Sequence, residues 1–246
     1  MTTAREAIME VLPDGEALAR RVARWVLDAA TATDGVFAVC LSGGSTPRRL
    51  YETLAAPPYR DEFPWPRAHW FWGDERFVPR DDALSNYRMA REAMLARAPV
   101  PAANIHPIPT EGLEPDEAAR AYERDLMAFY GARRLDPDRP LFDLTLLGLG
   151  DDGHIASLFP GAPALAERER WAAAACAAKP PARVTLTYPT LESSRRTAFL
   201  VTGTEKRAAL ARLRGGDDGD PAARLRSTGC LRIFADAEAA GAPESL

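Results

Sequence analysis

The chain has 246 residues, a formal net charge of -4, 46% hydrophobic residues and 27% charged residues. This length suits one large α/β domain or two small ones. The mildly acidic balance gives no broad basic surface, so we expect no nucleic-acid partner, although a local positive site for a small anion is compatible with it. No run approaches the ~20 apolar residues of a membrane span, and the first residues lack the apolar core of a signal peptide. We therefore expect a cytoplasmic protein without a membrane partner.

Hydrophobic periodicity predicts alternating helices and strands along most of the chain. The predicted helices cover residues 15–30, 47–54, 85–98, 115–130 and 205–213, and the predicted strands cover residues 36–41, 69–72, 141–147, 183–187, 197–201 and 231–234. This alternation indicates an α/β fold with a mostly parallel sheet and helices on both faces. The glycine-rich run 215–219 is interpreted as a loop rather than a boundary, so residues 1–246 are predicted to form a single domain.

The three cysteines, Cys40, Cys176 and Cys230, are odd in number and widely spaced. No pair has the spacing of a zinc or redox motif. We interpret them as buried or indifferent thiols in a reducing compartment.

The segment 42–47, Ser-Gly-Gly-Ser-Thr-Pro, joins the first predicted strand to a helix. Gly43 and Gly44 allow close approach of the backbone to a ligand and a positive φ. Thr46 is predicted to cap the helix and Pro47 to occupy its first position, so the free N–H groups and the positive helix end face an anion. The alternative is an ordinary strand-to-helix turn. A nucleotide P-loop is excluded because Gly-Lys-Ser/Thr does not follow.

Two basic residues elsewhere fit an anion site. If Thr204 caps the helix after the strand 197–201, Lys206 lies in its first turn, where the helix dipole disfavours a cation unless an anion is bound. Arg183 begins a strand and offers a forked donor for the same anion. The alternative for Lys206 is a solvated surface lysine.

The run 149–160 follows a buried strand and presents two carboxylates and an imidazole where open α/β sheets place ligands. His154 is the best candidate for a general base, and Asp152 is close enough to orient it. The alternative is a structural histidine, which is how we interpret both His69 and His106. Asp151, Asp152 and His154 show no known metal-site spacing, so no metal is predicted.

A second strand end, Gly73-Asp74-Glu75-Arg76, carries three charges. They are either a solvated strand end or place Arg76 at the mouth of the same cleft, where it holds a carboxylate or phosphate.

Six segments together resemble the 6-phosphogluconolactonase family of the pentose phosphate pathway. They are residues 41–47, 71–79, 85–88, 148–161, 183–187 and 201–203 with Lys206. They stand in the family's order over nearly all of 41–206, and the set is far more specific than any one segment. Departures are Asp151, where the family often has proline, Ile155, where it often has threonine, and Glu192, where asparagine is frequent. Neither of the first two changes removes a catalytic group, whereas Glu192 argues against a polar substrate contact at its position.

The resemblance implies the fold of glucosamine-6-phosphate deaminase and ribose-5-phosphate isomerase, with a Rossmann-like sheet. It implies hydrolysis of 6-phospho-D-glucono-1,5-lactone to 6-phospho-D-gluconate without a cofactor, by a monomer or small homo-oligomer. Carried over by position, His154 is the general base and Asp152 its partner. The residues that would hold the phosphate are Ser45, Thr46, Arg183 and Lys206, while Arg76 is expected in the site without an assigned substrate group. Backbone N–H groups of the Gly150–Gly153 turn are expected to stabilise an oxyanion.

Two rival functions are open at this point. A phosphosugar deaminase or isomerase needs a base for a carbon-bound proton, and Asp74 is the candidate. A non-catalytic sugar-phosphate sensor would need a DNA-binding helix pair before the first strand, where only about 35 residues precede it.

Overall fold

The computed structural model describes residues 7–175, 180–216 and 218–241, so Cys176 and Asp217 lie outside the described residues. The helices are α1 (Gly15–Thr31), α2 (Ser45–Leu54), α3 (Tyr59–Glu62), α4 (Asn86–Ala90), α5 (Pro115–Tyr130), α6 (Tyr188–Glu192), α7 (Arg207–Gly215) and α8 (Ala237–Ala240). The strands are β1 (Ile8–Leu12), β2 (Phe37–Leu41), β3 (Ala68–Trp72), β4 (Asp74–Arg76), β5 (Ile105–His106), β6 (Leu144–Leu147), β7 (Ala172–Ala175), β8 (Arg183–Leu186), β9 (Arg196–Val201) and β10 (Cys230–Asp236).

The main sheet has seven strands in the order β1-β10-β9-β6-β2-β3-β5, and every pairing in it is parallel. All five residues of β2 are buried, because helices cover the sheet on both faces there. The predicted mostly parallel α/β architecture is confirmed. Cys40 lies inside β2 and is buried, whereas Cys230 is partly exposed at the start of β10.

The two longest helices, α1 and α5, are explained by residues at their own ends and by their own apolar stripes. Asp14 caps α1 by accepting the N–H groups of residues 16 and 17 at 2.9 and 2.8 Å. Its buried stripe includes Leu18, Val22 and Val26, each of which contributes roughly 1.5–3 kcal/mol by leaving water. The helix α5 begins at Pro115 and is followed by Gly131 in a left-handed conformation. Both helices were predicted correctly.

A second sheet of three strands, β4-β8-β7, is antiparallel and lies apart from the main sheet's hydrogen bonding. The predicted strand at 183–187 belongs here, as β8, and not to the parallel sheet. The prediction missed this sheet because β4 has only three residues, all charged, and pairs with a strand more than a hundred residues away. This small sheet positions two arginines of the site.

Two predicted helix caps are wrong. The helix α2 begins at Ser45 after Gly44, so Thr46 lies inside its first turn rather than at the cap. A short 3-10 turn, Thr204–Lys206, precedes α7, with Gly203 before it, so Thr204 is not a cap either. In both places a glycine with positive φ stands directly before the helical turn and allows it to begin earlier than the predicted cap implies.

Across residues 7–175, 180–216 and 218–241, no helix combines the length and apolarity that a membrane crossing requires.

Candidate active site

The site lies where the winding of the main sheet changes direction. The strands β2 and β6 are neighbours, yet the chain continues from β2 to β3 on one side and from β6 to β9 on the other. Such a switch point opens a crevice at the carboxyl ends of the strands, because the connections diverge. A cavity of about 260 Å³ occupies this crevice. The predicted site residues that line it are Gly43, Gly44, Ser45, Thr46, Arg76, His154, Arg183 and Lys206.

The first wall is the turn from β2 into α2. Of Gly43 and Gly44, which were both predicted to allow a positive φ, Gly44 has one, at 106°. The first turn of α2 follows it directly. The first N–H groups of a helix have no intrahelical acceptors, so this end of α2 favours an anion in the cavity. The Thr46 hydroxyl is 2.6 Å from the hydroxyl of Thr202, which follows β9. Two strand ends are thereby joined through their threonines.

The second wall is the loop after β6, which holds the imidazole. Asp152 Oδ1 accepts hydrogen bonds from the His154 backbone N–H at 3.1 Å and lies 2.5 Å from His154 Nδ1. A side chain on Gly150 would collide with the imidazole, since a Cβ there would lie 2.0 Å from Nδ1. The loop therefore folds its histidine and aspartate over a residue that has to be glycine. Asp152 does not line the cavity and reaches it only through His154.

The electrostatics of this pair favour an ionised carboxylate. Burial raises the pKa of Asp152, but the hydrogen bonds from the His154 ring and backbone outweigh it and hold the pKa below its ordinary value. With Nδ1 directed to the carboxylate, Nε2 is the ring nitrogen left for a ligand in the cavity. The imidazole also packs on Phe159, with 4.7 Å between ring centroids.

The expected oxyanion donors are engaged elsewhere. The Gly150 N–H donates to the carbonyl of His154 at 2.9 Å, and the Gly153 N–H donates to the carbonyl of Gly150 at 3.0 Å. Both bonds close the loop on itself. These two N–H groups are therefore not free for an oxyanion, and the expectation that backbone N–H groups near this turn stabilise one stays a prediction for the remaining groups.

The third wall carries two arginines side by side. Arg76 in β4 is directly opposite Arg183 in β8 in the antiparallel register. The Nε atom of each is buried and has no hydrogen-bond partner. Burial, and then the charge of Arg76, lower the pKa of Arg183. Like charges opposite each other destabilise a strand pair, so an anion between them would relieve an existing strain.

One aromatic ring joins the second and third walls. The guanidinium carbon of Arg183 lies 5.7 Å from the centroid of Phe159, the ring on which His154 packs. The imidazole and the arginine pair are thus separated by a single side chain.

Two carboxylates next to Arg76 are buried rather than solvated, which decides between the two interpretations of this strand end. Asp74 lines the cavity, accepts the Ser157 hydroxyl at 2.6 Å and lies 3.9 Å from Arg183. Glu75 points instead into the start of α4 and accepts the N–H groups of residues 86 and 87, each at 2.7 Å. Burial raises the pKa of Glu75, while these backbone donors oppose the shift.

Lys206 is paired with a residue that the family resemblance marked as unusual. Its Nζ atom lies 2.5 Å from Asp151 Oδ1, and the side chains of the two residues are 26% and 67% exposed. Lys206 lines the cavity, so the interpretation as a solvated surface lysine is wrong. In this state a carboxylate occupies one of the directions in which the ammonium group would meet a ligand.

Several cavity residues had no role assigned from the sequence. They are Asn86, Gly148, Ala156 and Thr202. The Asn86 amide donates to the Asp74 carbonyl at 3.0 Å, and its side chain fills the space beside Gly43. Ala156 has a φ of 48°, which is unusual for a residue with a side chain. All of them lie within the segments that resemble the family, and Asn86 also follows the helix cap Ser85.

The remaining candidates lie outside the cavity. Glu192 accepts the N–H group of Arg226 at 2.7 Å and does not line the site. His69 and His106 contact each other, with 3.0 Å between Nδ1 and Nε2, and do not line it either. Within the described part of the chain, no group of three or more histidine, cysteine, aspartate or glutamate residues has the arrangement of a metal site.

Known proteins resemble this chain over nearly its full length. A family model for glucosamine-6-phosphate isomerases/6-phosphogluconolactonase matches residues 13–233. A 6-phosphogluconolactonase of Nostoc sp. is 41% identical over 244 residues, covering 97% of this chain and 98% of the relative. The structure of a 6-phosphogluconolactonase from Trypanosoma cruzi is 28% identical and has a TM-score of 0.84, with 97% of each chain covered.

A third comparison concerns the fold alone. A monomeric glucosamine-6-phosphate deaminase is 20% identical and has a TM-score of 0.80, with 95% of this chain and 99% of the other covered. The predicted deaminase-like fold is confirmed. On the family match and the near full-length identity, the chain belongs to the glucosamine-6-phosphate isomerase/6-phosphogluconolactonase family.

Proposed function

We propose that this chain hydrolyses 6-phospho-D-glucono-1,5-lactone to 6-phospho-D-gluconate in the pentose phosphate pathway. One observation carries the proposal: a carboxylate-held imidazole lines the same cavity as two arginines whose Nε atoms have no hydrogen-bond partner. The first suits general-base chemistry and the second suits a phosphate at the other end of a six-carbon ligand. Curated relatives with the 6-phosphogluconolactonase name add support, since one is 41% identical over almost the whole chain.

The reaction needs one base and no covalent bond between the enzyme and the substrate. Nε2 of His154 takes a proton from water while the water oxygen bonds to the lactone carbonyl carbon. The tetrahedral intermediate then loses its bond to the ring oxygen, and His154 returns the proton to that oxygen. The new carboxylic acid releases its proton to solvent, so each turnover yields one acid equivalent. Asp152 keeps Nδ1 directed away from the substrate and stabilises the imidazolium formed between the two steps.

The phosphate is assigned to the side of the cavity where positive charge and free donors converge. Arg183 and Arg76 supply guanidinium forks with unpartnered Nε atoms. Lys206 and the first turn of α2, with Ser45 and Thr46, supply the remaining donors. No metal or cofactor takes part in the proposed steps.

Acid release at constant pH tests the proposal directly. The measurement compares the 6-phosphorylated lactone with unphosphorylated glucono-1,5-lactone, each corrected for spontaneous hydrolysis. We expect kcat/KM to be at least about a hundredfold higher for the phosphorylated lactone, because each charge-assisted hydrogen bond to phosphate is worth ~1.5–3 kcal/mol. Equal values for the two substrates would contradict the phosphate assignment, and no acceleration of either would contradict the function.

The position of Asp74 is the one observation that favours the alternative hypothesis of a deaminase. Asp74 is a buried carboxylate at the cavity, where a base for a carbon-bound proton would be needed. Incubation with glucosamine 6-phosphate and measurement of released ammonia separates the two functions. We expect no more ammonia than in an identical incubation without the protein.

The wider assignments belong to the same proposal. Residues 1–246 act as one domain, supported by a single hydrophobic cluster that extends from Leu18 to Ala239. The protein works in the cytoplasm as a monomer or small homo-oligomer, on a small phosphorylated lactone and without a nucleic-acid or membrane partner. Light scattering on the purified chain measures the oligomeric state.

A further inference from the structure

The outer side of the His154 loop is held by two residues that do not line the cavity. Arg212 projects from α7, and Asp220 lies beyond the end of that helix. Arg212 Nε donates to Asp220 Oδ2 at 2.8 Å, while its Nη2 donates to the backbone carbonyl of Asp151 at 2.9 Å. One guanidinium thus joins the catalytic loop to the segment that follows α7. We call Arg212 and Asp220 the clasp.

The clasp also fits the loop sterically. Gly153 has a φ of 82°, and a Cβ there would lie 2.3 Å from the Asp220 carboxylate carbon. The Asp220 carboxylate therefore packs directly on the loop backbone, and the residue is only 7% exposed. Next to it, the Ala222 N–H donates to the Gly153 carbonyl at 2.9 Å. Two loop carbonyls, those of Asp151 and Gly153, are thus fixed from the same side.

The bonds inside the loop do not place it in the cavity. The hydrogen bonds of Gly150, Asp152 and Gly153 set the shape of the turn and the direction of the imidazole within it. They leave the turn free to move as a unit about its ends. The clasp supplies external contacts that fix such a unit, because it holds residues 151 and 153 on either side of Asp152. It acts beside the Ala222 N–H and the more exposed pair of Lys206 with Asp151.

We propose that Arg212 and Asp220 are positioning residues for the His154 base, which hold the loop 150–154 so that Nε2 stays within reach of the attacking water. This inference rests on the proposed function and deepens it. Proton transfer depends steeply on the position of the base, so a shift of about 1 Å lowers the rate by up to about a hundredfold. Substrate binding depends mainly on the arginine side of the cavity and is affected far less.

The test uses Asp220→Asn, Arg212→Met and the double variant in the full chain. We expect each single variant to lower kcat about ten- to a hundredfold and to change KM by less than about threefold. The double variant should be no slower than the slower single variant, because both substitutions remove the same contact. Asp218→Asn is the matched control, since Asp218 lies in the same segment and pairs with Arg226 at 3.2 Å without contacting the loop.

Hydrogen exchange gives a readout that does not depend on turnover. In peptides covering residues 149–158, the Gly150 and Gly153 amides should exchange about tenfold faster in the clasp variants than in the control. Arg212→Met is the more conservative variant for folding, because the Arg212 side chain is 35% exposed. Control-like kcat together with control-like loop exchange would overturn the proposal. A wild-type chain without lactone turnover would overturn the proposed function instead. The hydrogen-exchange measurement alone would then show whether Arg212 and Asp220 hold the loop.

Discussion

The histidines of this chain stand in two unlike surroundings. His154 has a carboxylate at its Nδ1, 2.5 Å away, and its side chain is 32% exposed at the cavity. His69 and His106 instead contact each other at the sheet edge, where the His106 ring stacks on Phe71 with 4.4 Å between centroids. The first arrangement leaves one ring nitrogen available for proton transfer. The second places both rings in aromatic packing, where a charge is unfavourable.

The contact partner and the burial of a histidine, rather than its residue type, therefore decide what it does. Burial lowers the pKa of His69, and burial together with the nearby His69 lowers the pKa of His106 to about 4. The carboxyl of Asp152 has its pKa held below the ordinary value. The His154 loop therefore keeps an ionised Asp152 carboxylate at neutral pH, whereas the packing around His69 and His106 disfavours a charged imidazole. Function should depend on the first region and stability on the second.

The sharpest test of this division is His154→Gln. We expect kcat to fall by about 10²–10⁴-fold, the range that general-base catalysis supplies, with KM and the melting temperature little changed. Asp152→Asn should lower kcat in the same direction but less, because the imidazole remains. Initial rates of acid release and a thermal melt measure both quantities. Near-normal turnover of His154→Gln would show that the base lies elsewhere.

The arginine pair should affect binding rather than chemistry. For Arg183→Gln we expect KM for the phosphorylated lactone to rise about ten- to a hundredfold, since a charge-assisted hydrogen bond contributes ~1.5–3 kcal/mol. The unphosphorylated lactone should be hydrolysed as by the wild type. Arg195→Gln is the matched control, because Arg195 pairs with Asp143 outside the cavity. An equal loss on both lactones would mean that Arg183 supports the fold of the site instead.

The histidine pair should appear in the pH dependence of stability. A depressed folded-state pKa means that the unfolded chain binds more protons below its own pKa of about 6.5. The stability is therefore fully present above pH 6.5 and is lost as the pH falls towards about 4. For this half-buried group we expect a loss of ~1–2 kcal/mol between pH 7.5 and pH 5, after solvent screening.

His106→Phe isolates that contribution, because phenylalanine keeps the stacking on Phe71 and cannot titrate. Urea unfolding at the two pH values should give a smaller pH effect in the variant than in the wild type. An unchanged pH effect would assign it to carboxylates elsewhere. The variant should keep the wild-type kcat, since His106 does not line the cavity.

The sequence predicted the His154 loop well because its geometry is local. Its internal hydrogen bonds join glycines, an aspartate and a histidine within five residues. The sequence spacing alone therefore predicts that Asp152 contacts His154. The alternation of helices and strands likewise predicted the parallel sheet. The edge strand β1 was missed, since Ile8 and Val11 are 53% and 45% exposed and the segment shows no buried face.

Contacts between distant segments could not be predicted in this way. The Arg76–Arg183 register joins strands far apart in the chain, and the three charged residues of β4 show no apolar strand pattern. The contact between Lys206 and Asp151 is of the same kind, with a separation of 55 residues. The family resemblance placed Arg76, Arg183 and Lys206 in one site and gave Asp151 no role, so their contacts come from the fold alone.

The smallest expected effect concerns that last contact. In the proposed phosphate site, Asp151 would compete with the substrate phosphate for Lys206, and an exposed ion pair contributes ~0.2–1 kcal/mol. For Asp151→Asn we therefore expect KM for the phosphorylated lactone to fall about two- to fivefold at low salt, with kcat unchanged. The difference should shrink as salt rises, because both charges are partly exposed to solvent. A higher KM would instead mean that Asp151 holds Lys206 in its binding position, so that the carboxylate assists the phosphate site rather than competing with it.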